Sequence, residues 1–251
     1  MKAIVLCAGY GTRLYPLTKS YAKPLLPVAG EALLTHLIAK LETVNEIDDV
    51  LVVTNGRFYG DFCRWRGKVK TTKCLHVFND QTMSPETRLG AIRDLKIALE
   101  VVDSEDTLVI AGDNLFDSGL EPFLQFARLK KPAVSICVYD VKDRSLATQY
   151  GLVKTDSSGK IIDFLEKPKD PPSTLVSMGL YFLTKESLGY IDRFLEEHQR
   201  SDAPGFYIAW LSKQIETYAF VCDGTWFDIG DAVSYQKADR FYRKLVKKQQ
   251  A

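Results

Sequence analysis

The sequence predicts an α/β fold: a mostly parallel central sheet flanked by helices, with a strand hairpin inserted in its second half. Three observations carry this. Short β-rich runs alternate with segments of helical periodicity along the whole chain. The first apolar run opens directly into a glycine loop, and a later one ends in Gly112-Asp113-Asn114. In open α/β sheets such strand ends form the ligand crevice. Hydrophobic residues make up 46% of the 251, enough for a substantial core. With no internal repeat, low-complexity block or long linker, a single domain over 1–245 and a tail over 246–251 are expected.

The elements follow in order. Residues 2–7 read as a buried strand. Leu33, Leu34, Leu37, Ile38 and Leu41 lie on one face of a helix over 32–43. Strands are predicted over 50–54 and 75–78. A helix over 88–101 has Leu89, Ile92, Leu95 and Leu99 on one face. Then come a strand over 107–111, a helix over 120–129 and a strand over 133–139. Asp156-Ser157-Ser158-Gly159 joins strands 151–155 and 161–165 as a hairpin turn. A strand over 176–183, helices over 185–198 and 205–214, a strand over 217–222 and a helix over 232–245 complete the chain. Residues 247–251 read as a frayed end.

Composition excludes several functional classes. Lysine plus arginine number 33 and aspartate plus glutamate 32, so no global field favours a nucleic acid polymer or a membrane surface. No run approaches the roughly 20 apolar residues of a membrane helix. The short N-terminal apolar run is a strand rather than a signal peptide. The five cysteines, Cys7, Cys63, Cys74, Cys137 and Cys222, form no CxxC pair and read as reduced, buried thiols of a cytoplasmic protein. Three scattered histidines show no zinc spacing.

Gly9-Tyr10-Gly11-Thr12-Arg13-Leu14 follows the first strand. Two glycines allow a sharp turn and close backbone approach to a ligand. Consecutive amides in such a turn form a nest for phosphate oxygens, and Arg13 adds a forked cation. Taken alone, the loop also fits a tight strand-to-helix turn. A dinucleotide fingerprint is disfavoured, because no third glycine stands at the required offset and the segment runs into Pro16. Lys23 adds a cation within reach, although lysines are usually solvated. Asp113 alone fits a turn or helix cap. Asp228, in Trp226-Phe227-Asp228-Ile229-Gly230, alone fits a buried carboxylate capping a turn.

The full string G-x-G-T-R-L-x-P-L-T from Gly9, followed by K-P-L-L-P-V from Lys23, resembles the signature of the sugar-1-phosphate nucleotidyltransferases. The resemblance extends to Gly112-Asp113 and to W-x-D-x-G from Trp226. It continues through Y-G-x-V from Tyr150, E-K-P from Glu166 and G-x-Y-F from Gly179. It implies a Rossmann-like nucleotide-diphospho-sugar transferase fold and transfer of a nucleoside monophosphate from a nucleoside triphosphate to a sugar 1-phosphate. Arg13 and Lys23 are then expected to act on the reacting phosphates, and Asp113 and Asp228 to hold Mg2+. Leu6, Ala8, Gly9, Gly11, Thr12, Gln81 and Gly90 are expected at the nucleotide. Tyr150, Gly151, Glu166, Lys167 and Gly179 are expected at the sugar phosphate.

The chain departs from the family in two places. Glu86-Thr87-Arg88-Leu89-Gly90-Ala91 replaces the usual glycine-rich base loop, and 201–207 differs beside the sugar pocket, so base and sugar stay unnamed. The sequence stops soon after its last helix, without the β-helix extension of bifunctional acetyltransferase relatives. Relatives commonly assemble, but no interface signature for a homo-oligomer stands out. Two alternatives stay open: a cytidylyltransferase for a non-sugar phosphate such as phosphocholine, and a non-catalytic nucleotide-sugar-binding regulatory homologue.

Overall fold

A computed structural model describes residues 1–102, 105–198 and 203–249. Ser201, Asp202 and the last two residues of the expected tail lie outside these. The first strand, β1 (Lys2–Leu6), is followed by the short hairpin β2 (Pro27–Val28) and β3 (Glu31–Ala32), then α1 (Leu33–Glu42). Next come β4 (Asp49–Thr54), α2 (Tyr59–Arg66), β5 (Cys74–Asn79), α3 (Ala91–Leu99), β6 (Thr107–Ala111) and β7 (Asn114–Phe116). The middle of the chain forms α4 (Glu121–Lys130), β8 (Val134–Asp140), α5 (Arg144–Ala147), β9 (Gly151–Thr155), β10 (Ile161–Glu166) and β11 (Leu175–Leu183). It ends with α6 (Tyr190–Glu197), α7 (Pro204–Leu211), β12 (Thr217–Val221), β13 (Trp226–Asp228) and α8 (Ala232–Gln249).

The central sheet is parallel where it begins. β1 lies between β4 and β6, and β5 extends the array beyond β4. β11 runs antiparallel to β6 and carries the β9–β10 hairpin and β8 on its other side. β12 pairs in parallel with β8. The register of β11 against β8 shifts between Ser177 and Tyr181, around Gly179 at φ +71°. β7 and β13 form a separate antiparallel pair in which Asn114 lies opposite Asp228.

Strand alternation sorts the core into two layers. Ala3 and Val5 face one layer with Leu37, Leu41 and Phe123; Ile4 faces the other with Ile92, Phe194 and Tyr207. A third cluster seats α8, through Ala238 and Tyr242, on Leu26, Val28, Leu33, Leu115 and Ile229. Among the described residues no helix is long and apolar enough to cross a membrane.

Several boundaries differ from the sequence expectation for local reasons. α3 starts at Ala91 rather than near 88, because Gly90 takes φ +93° and closes the preceding loop outside helical space. The predicted helix over 185–198 splits into a tight turn, Lys185–Ser187, and α6. α8 continues past Leu245 to Gln249. α2 was not expected: its eight residues carry three charges and bury only Phe62 and Trp65, too few to print a stripe. Nor are all the thiols buried. Cys7, Cys137 and Cys222 are, whereas Cys63, on the outer side of α2, and Cys74, at the start of the edge strand β5, are exposed.

Gly112 is required where β1 and β6 end side by side. Its amide donates to Leu6 O at 2.9 Å, and a Cβ there would overlap Cys7 Sγ and stand 3.0 Å from Leu6 O. Backbone cannot yield as a side chain can. Gly112→Ala is expected to destabilise the fold by about 1–3 kcal/mol, measured by denaturant unfolding, and a variant as stable as the parent refutes this packing account.

Candidate active site

The glycine loop is fixed from three sides. Gly11 takes φ +60°, and Thr18 Oγ1 donates to its carbonyl at 2.7 Å. A Cβ on Gly11 would come within 3.2 Å of both Lys23 Cβ and Thr18 Cγ2, so the loop rests on the turn that carries Lys23. Asn55 Nδ2 holds Ala8 O at 3.0 Å, and Tyr10 hydrogen-bonds Thr82 across 2.9 Å, joining the loop to the segment after β5. These restraints leave the loop bordering a cavity of about 590 Å³.

Of the residues singled out in the sequence, Leu6, Ala8, Gly9, Gly11 and Thr12 line this cavity, as do Arg13, Lys23, Gly90, Asp113 and Lys167. Gln81 does not: its side chain is exposed, and its φ of +66° belongs to a turn in which its amide donates to Asn79 Oδ1. The lining adds residues that had no assigned role, among them Tyr10, Pro85, Asp94, Pro204 and Phe206. Asp94 carried a signal of its own, an acid on the apolar side of α3 where Ile92, Leu95 and Ala98 are buried with it.

Asp113 follows β6, and Asp228 ends β13. Lys23 Nζ donates to Asp113 Oδ2 at 2.6 Å. Burial pushes the Asp113 carboxyl upward, but the Lys23 ammonium, backbone bonding and Arg13 outweigh it and hold the group below its ordinary value. Asp228 is pushed well above the usual carboxylate range, first by burial and then by the charge of Asp113 within hydrogen-bonding reach. Arg13 Nη1 and Asp228 Oδ2 each lie 3.6 Å from where a Cβ on Gly230 would stand, so one glycine edge borders both.

Two crowded carboxylates, one of them raised by burial and by the other's charge, fit a hard divalent cation. Among the described residues no group of three or more His, Cys, Asp or Glu side chains could hold a metal ion. A cation bound by Asp113 and Asp228 therefore needs further oxygens from phosphates and water.

On the other side, the Glu166 side chain is 7% exposed and sits between two glycines. A Cβ on Gly205 would overlap Glu166 Oε2, and one on Gly151 would stand 2.9 Å from it and collide with the Phe164 ring. Burial raises the Glu166 carboxyl above its ordinary value, against the lowering effect of Lys167 at 3.6 Å. Lys167 has φ +49°, a left-handed backbone that side chains rarely adopt. Its amide donates to Tyr150 O at 3.0 Å. Tyr150 lines a second cavity of about 320 Å³ with Asp228, Trp226 and Tyr139, and Gly230 borders both cavities. The Tyr150 hydroxyl is raised by burial and then by Asp228 and Asp113. Gly179 lines neither cavity; a Cβ there would stand 3.1 Å from Ala111 Cβ and 3.3 Å from Asn114 Nδ2.

The nucleotidyl transferase family profile matches residues 2–244. The bifunctional protein GlmU of Methanocaldococcus jannaschii is 29% identical over 249 residues, covering 96% of this chain. The chain spans 54% of that relative's length. Glucose-1-phosphate adenylyltransferase of Clostridium novyi is 28% identical, covering 95% of this chain and 66% of the relative. A solved structure from Bacillus anthracis, assigned as a glucose-1-phosphate thymidylyltransferase and determined with sucrose, superposes with a TM-score of 0.84 at 26% identity. That match covers 97% of this chain and 95% of the other. With a family match over nearly its whole length and the same fold in a solved structure, the chain belongs to the nucleotidyl transferase family.

Proposed function

We propose that the chain is a magnesium-dependent sugar-1-phosphate nucleotidyltransferase that releases pyrophosphate, acting as one catalytic unit over 1–245 in the cytoplasm. The family is generally metal-dependent. The observation that carries the reading is the convergence of the glycine loop, Arg13, Lys23, Asp113 and Lys167 on one cavity. It joins a phosphate nest to three cations and an acid beside a second acid.

In this reading the amides of Ala8 to Thr12 cradle the triphosphate. Arg13 takes the charge that grows on the departing pyrophosphate. Lys23 lies against the α-phosphate, where the developing charge is greatest. Asp113 and Asp228 would hold Mg2+, which would supply charge neutralisation and orientation for the phosphate oxygens. Lys167 binds the acceptor phosphate as a point charge, and Glu166 accepts hydrogen bonds from sugar hydroxyls. In-line attack by the acceptor phosphate oxygen on the α-phosphorus forms the new P–O–P link and breaks the one to pyrophosphate. Such chemistry rests on positioning and electrostatics and needs no covalent intermediate.

Pyrophosphate release with Mg2+ is to be measured across dTTP, UTP, GTP, CTP and ATP, crossed with several hexose 1-phosphates and phosphocholine. A dominant sugar pair is expected. Preference for phosphocholine, or silence from folded protein, rejects the proposal. Asp113→Asn and Asp228→Asn are each expected to lower turnover by roughly 100-fold or more, in line with losing a preorganised charge at the reacting phosphates, while circular dichroism stays unchanged. Full activity in both variants removes the metal assignment.

Glu166 gives a separate signature. Its folded-state value is raised above that of the unfolded chain, so stability falls as pH rises from the ordinary glutamate range through the folded value and stays lower above it. Glu166→Gln removes this burden. Its melting temperature is expected to exceed the parent's at pH 8, with the gain vanishing below the ordinary glutamate range. The acceptor KM is expected to rise about 10-fold or more, the size of a lost hydrogen bond to a charged group. A variant less stable than the parent at pH 8, with unchanged KM, contradicts both assignments.

A further inference from the structure

Asn114 follows Asp113 directly and lies opposite Asp228 in the β7–β13 pair. It is 3% exposed, and both ends of its amide are engaged. Nδ2 donates to Met178 O at 2.7 Å, and Oδ1 accepts from Trp226 Nε1 at 2.7 Å. One partner needs a donor and the other an acceptor. An asparagine amide offers both on one short side chain; an aspartate would face a carbonyl with a charge, and a leucine would leave two buried groups unpaired.

The two partners lead to different places. Met178 precedes Gly179, where β11 breaks register at φ +71° and packs 3.3 Å from Asn114 Nδ2, measured from an ideal Cβ. Trp226 begins the strand that ends in Asp228, and its ring lies 5.1 Å from that of Tyr150. Tyr150 O in turn holds the amide of Lys167. A single amide thus lies between the two acids and both walls assigned to the acceptor.

We propose that Asn114 is a positioning residue that couples cation binding at Asp113 and Asp228 to the order of the acceptor wall at Met178–Gly179. The inference rests on the proposed function above for the roles of those acids, and on the expectation from the family resemblance that Gly179, which lines neither cavity, stands behind the acceptor. With a cation bound, the two carboxylates would be fixed in one arrangement; Asn114, next to Asp113, would be fixed with them, and its bond to Met178 would carry the restraint into β11. The bond to Trp226 serves the other acid: it sets β13 and with it Asp228. Cation and acceptor then favour the same arrangement, and each raises the affinity for the other.

The test uses Mg2+ alone, so it needs no knowledge of the acceptor. Hydrogen–deuterium exchange and calorimetric Mg2+ binding are measured on the full chain, on Asn114→Leu and on Trp226→Phe. In the parent, Mg2+ should slow exchange over 107–113, 226–230 and 175–183. In Asn114→Leu, Mg2+ should bind about tenfold more weakly, the size of one lost hydrogen bond, and slow exchange over the first two segments while leaving 175–183 unprotected. Trp226→Phe keeps the ring packing and the Met178 bond. It should weaken Mg2+ binding yet retain the response at 175–183, which keeps the proposal testable if Asn114→Leu does not fold.

A response at 175–183 in Asn114→Leu equal to the parent's overturns the proposal. So does no response there in the parent, loss of it in Trp226→Phe, or a uniform loosening that includes the distant β12. Mg2+ that neither binds nor protects 107–113 and 226–230 in the parent defeats instead the metal assignment on which the proposal rests.

Discussion

Two carboxylates held side by side set the terms for the rest of the molecule. Two unit charges about 4 Å apart repel by roughly 4 kcal/mol at an effective dielectric near 20, and Asp113 and Asp228 must be kept close against that force. The fold does this with backbone. Asp113 is carried on the end of a central strand, Asp228 on a short strand paired to the residue next door, and α8 closes over the outer side of that pair. Lys23 and Arg13 supply the compensating field, Lys23 by direct contact with Asp113. The Asp228 carboxyl is nevertheless raised, by burial first and by the charge of Asp113 second.

A second constraint is steric. Gly112, Gly151 and Gly205 each stand where a side chain would strike a neighbour that matters: the strand end beside the phosphate loop, or the carboxylate of Glu166. These glycines work by leaving room. The acids and cations are therefore held by close backbone approach as much as by hydrogen bonds.

What the sequence revealed follows from how information is stored in it. The central strands and α1 were legible because burial on one or both faces imposes a pattern. Arg13, Lys23, Asp113 and Lys167 were legible because each belongs to a string whose spacing is set by one turn or strand end, and all four reach the same cavity. Gln81, expected at the nucleotide, does not line that cavity, because position in a loop does not fix direction; the left-handed backbone at that residue belongs to a turn that leaves its side chain in solvent. Gly205 and Asn114 were missed for another reason. Their partners, Glu166, Met178 and Trp226, lie far away along the chain, and such contacts leave no local periodicity. The short elements β7, β13 and α5 were missed because three or four residues are too few to show a period.

The backbone of Lys167 carries a further consequence. In a strand, successive side chains leave on opposite faces, so neighbouring residues cannot normally serve one ligand. The left-handed residue after β10 breaks that alternation and lets the side chains of Glu166 and Lys167, adjacent in sequence, approach within 3.6 Å of each other. Lysine holds this conformation at a disadvantage of about 1–2 kcal/mol that glycine would not bear. Thermodynamic ease and charge placement are thus in direct competition at one position, and the chain has resolved the conflict in favour of charge.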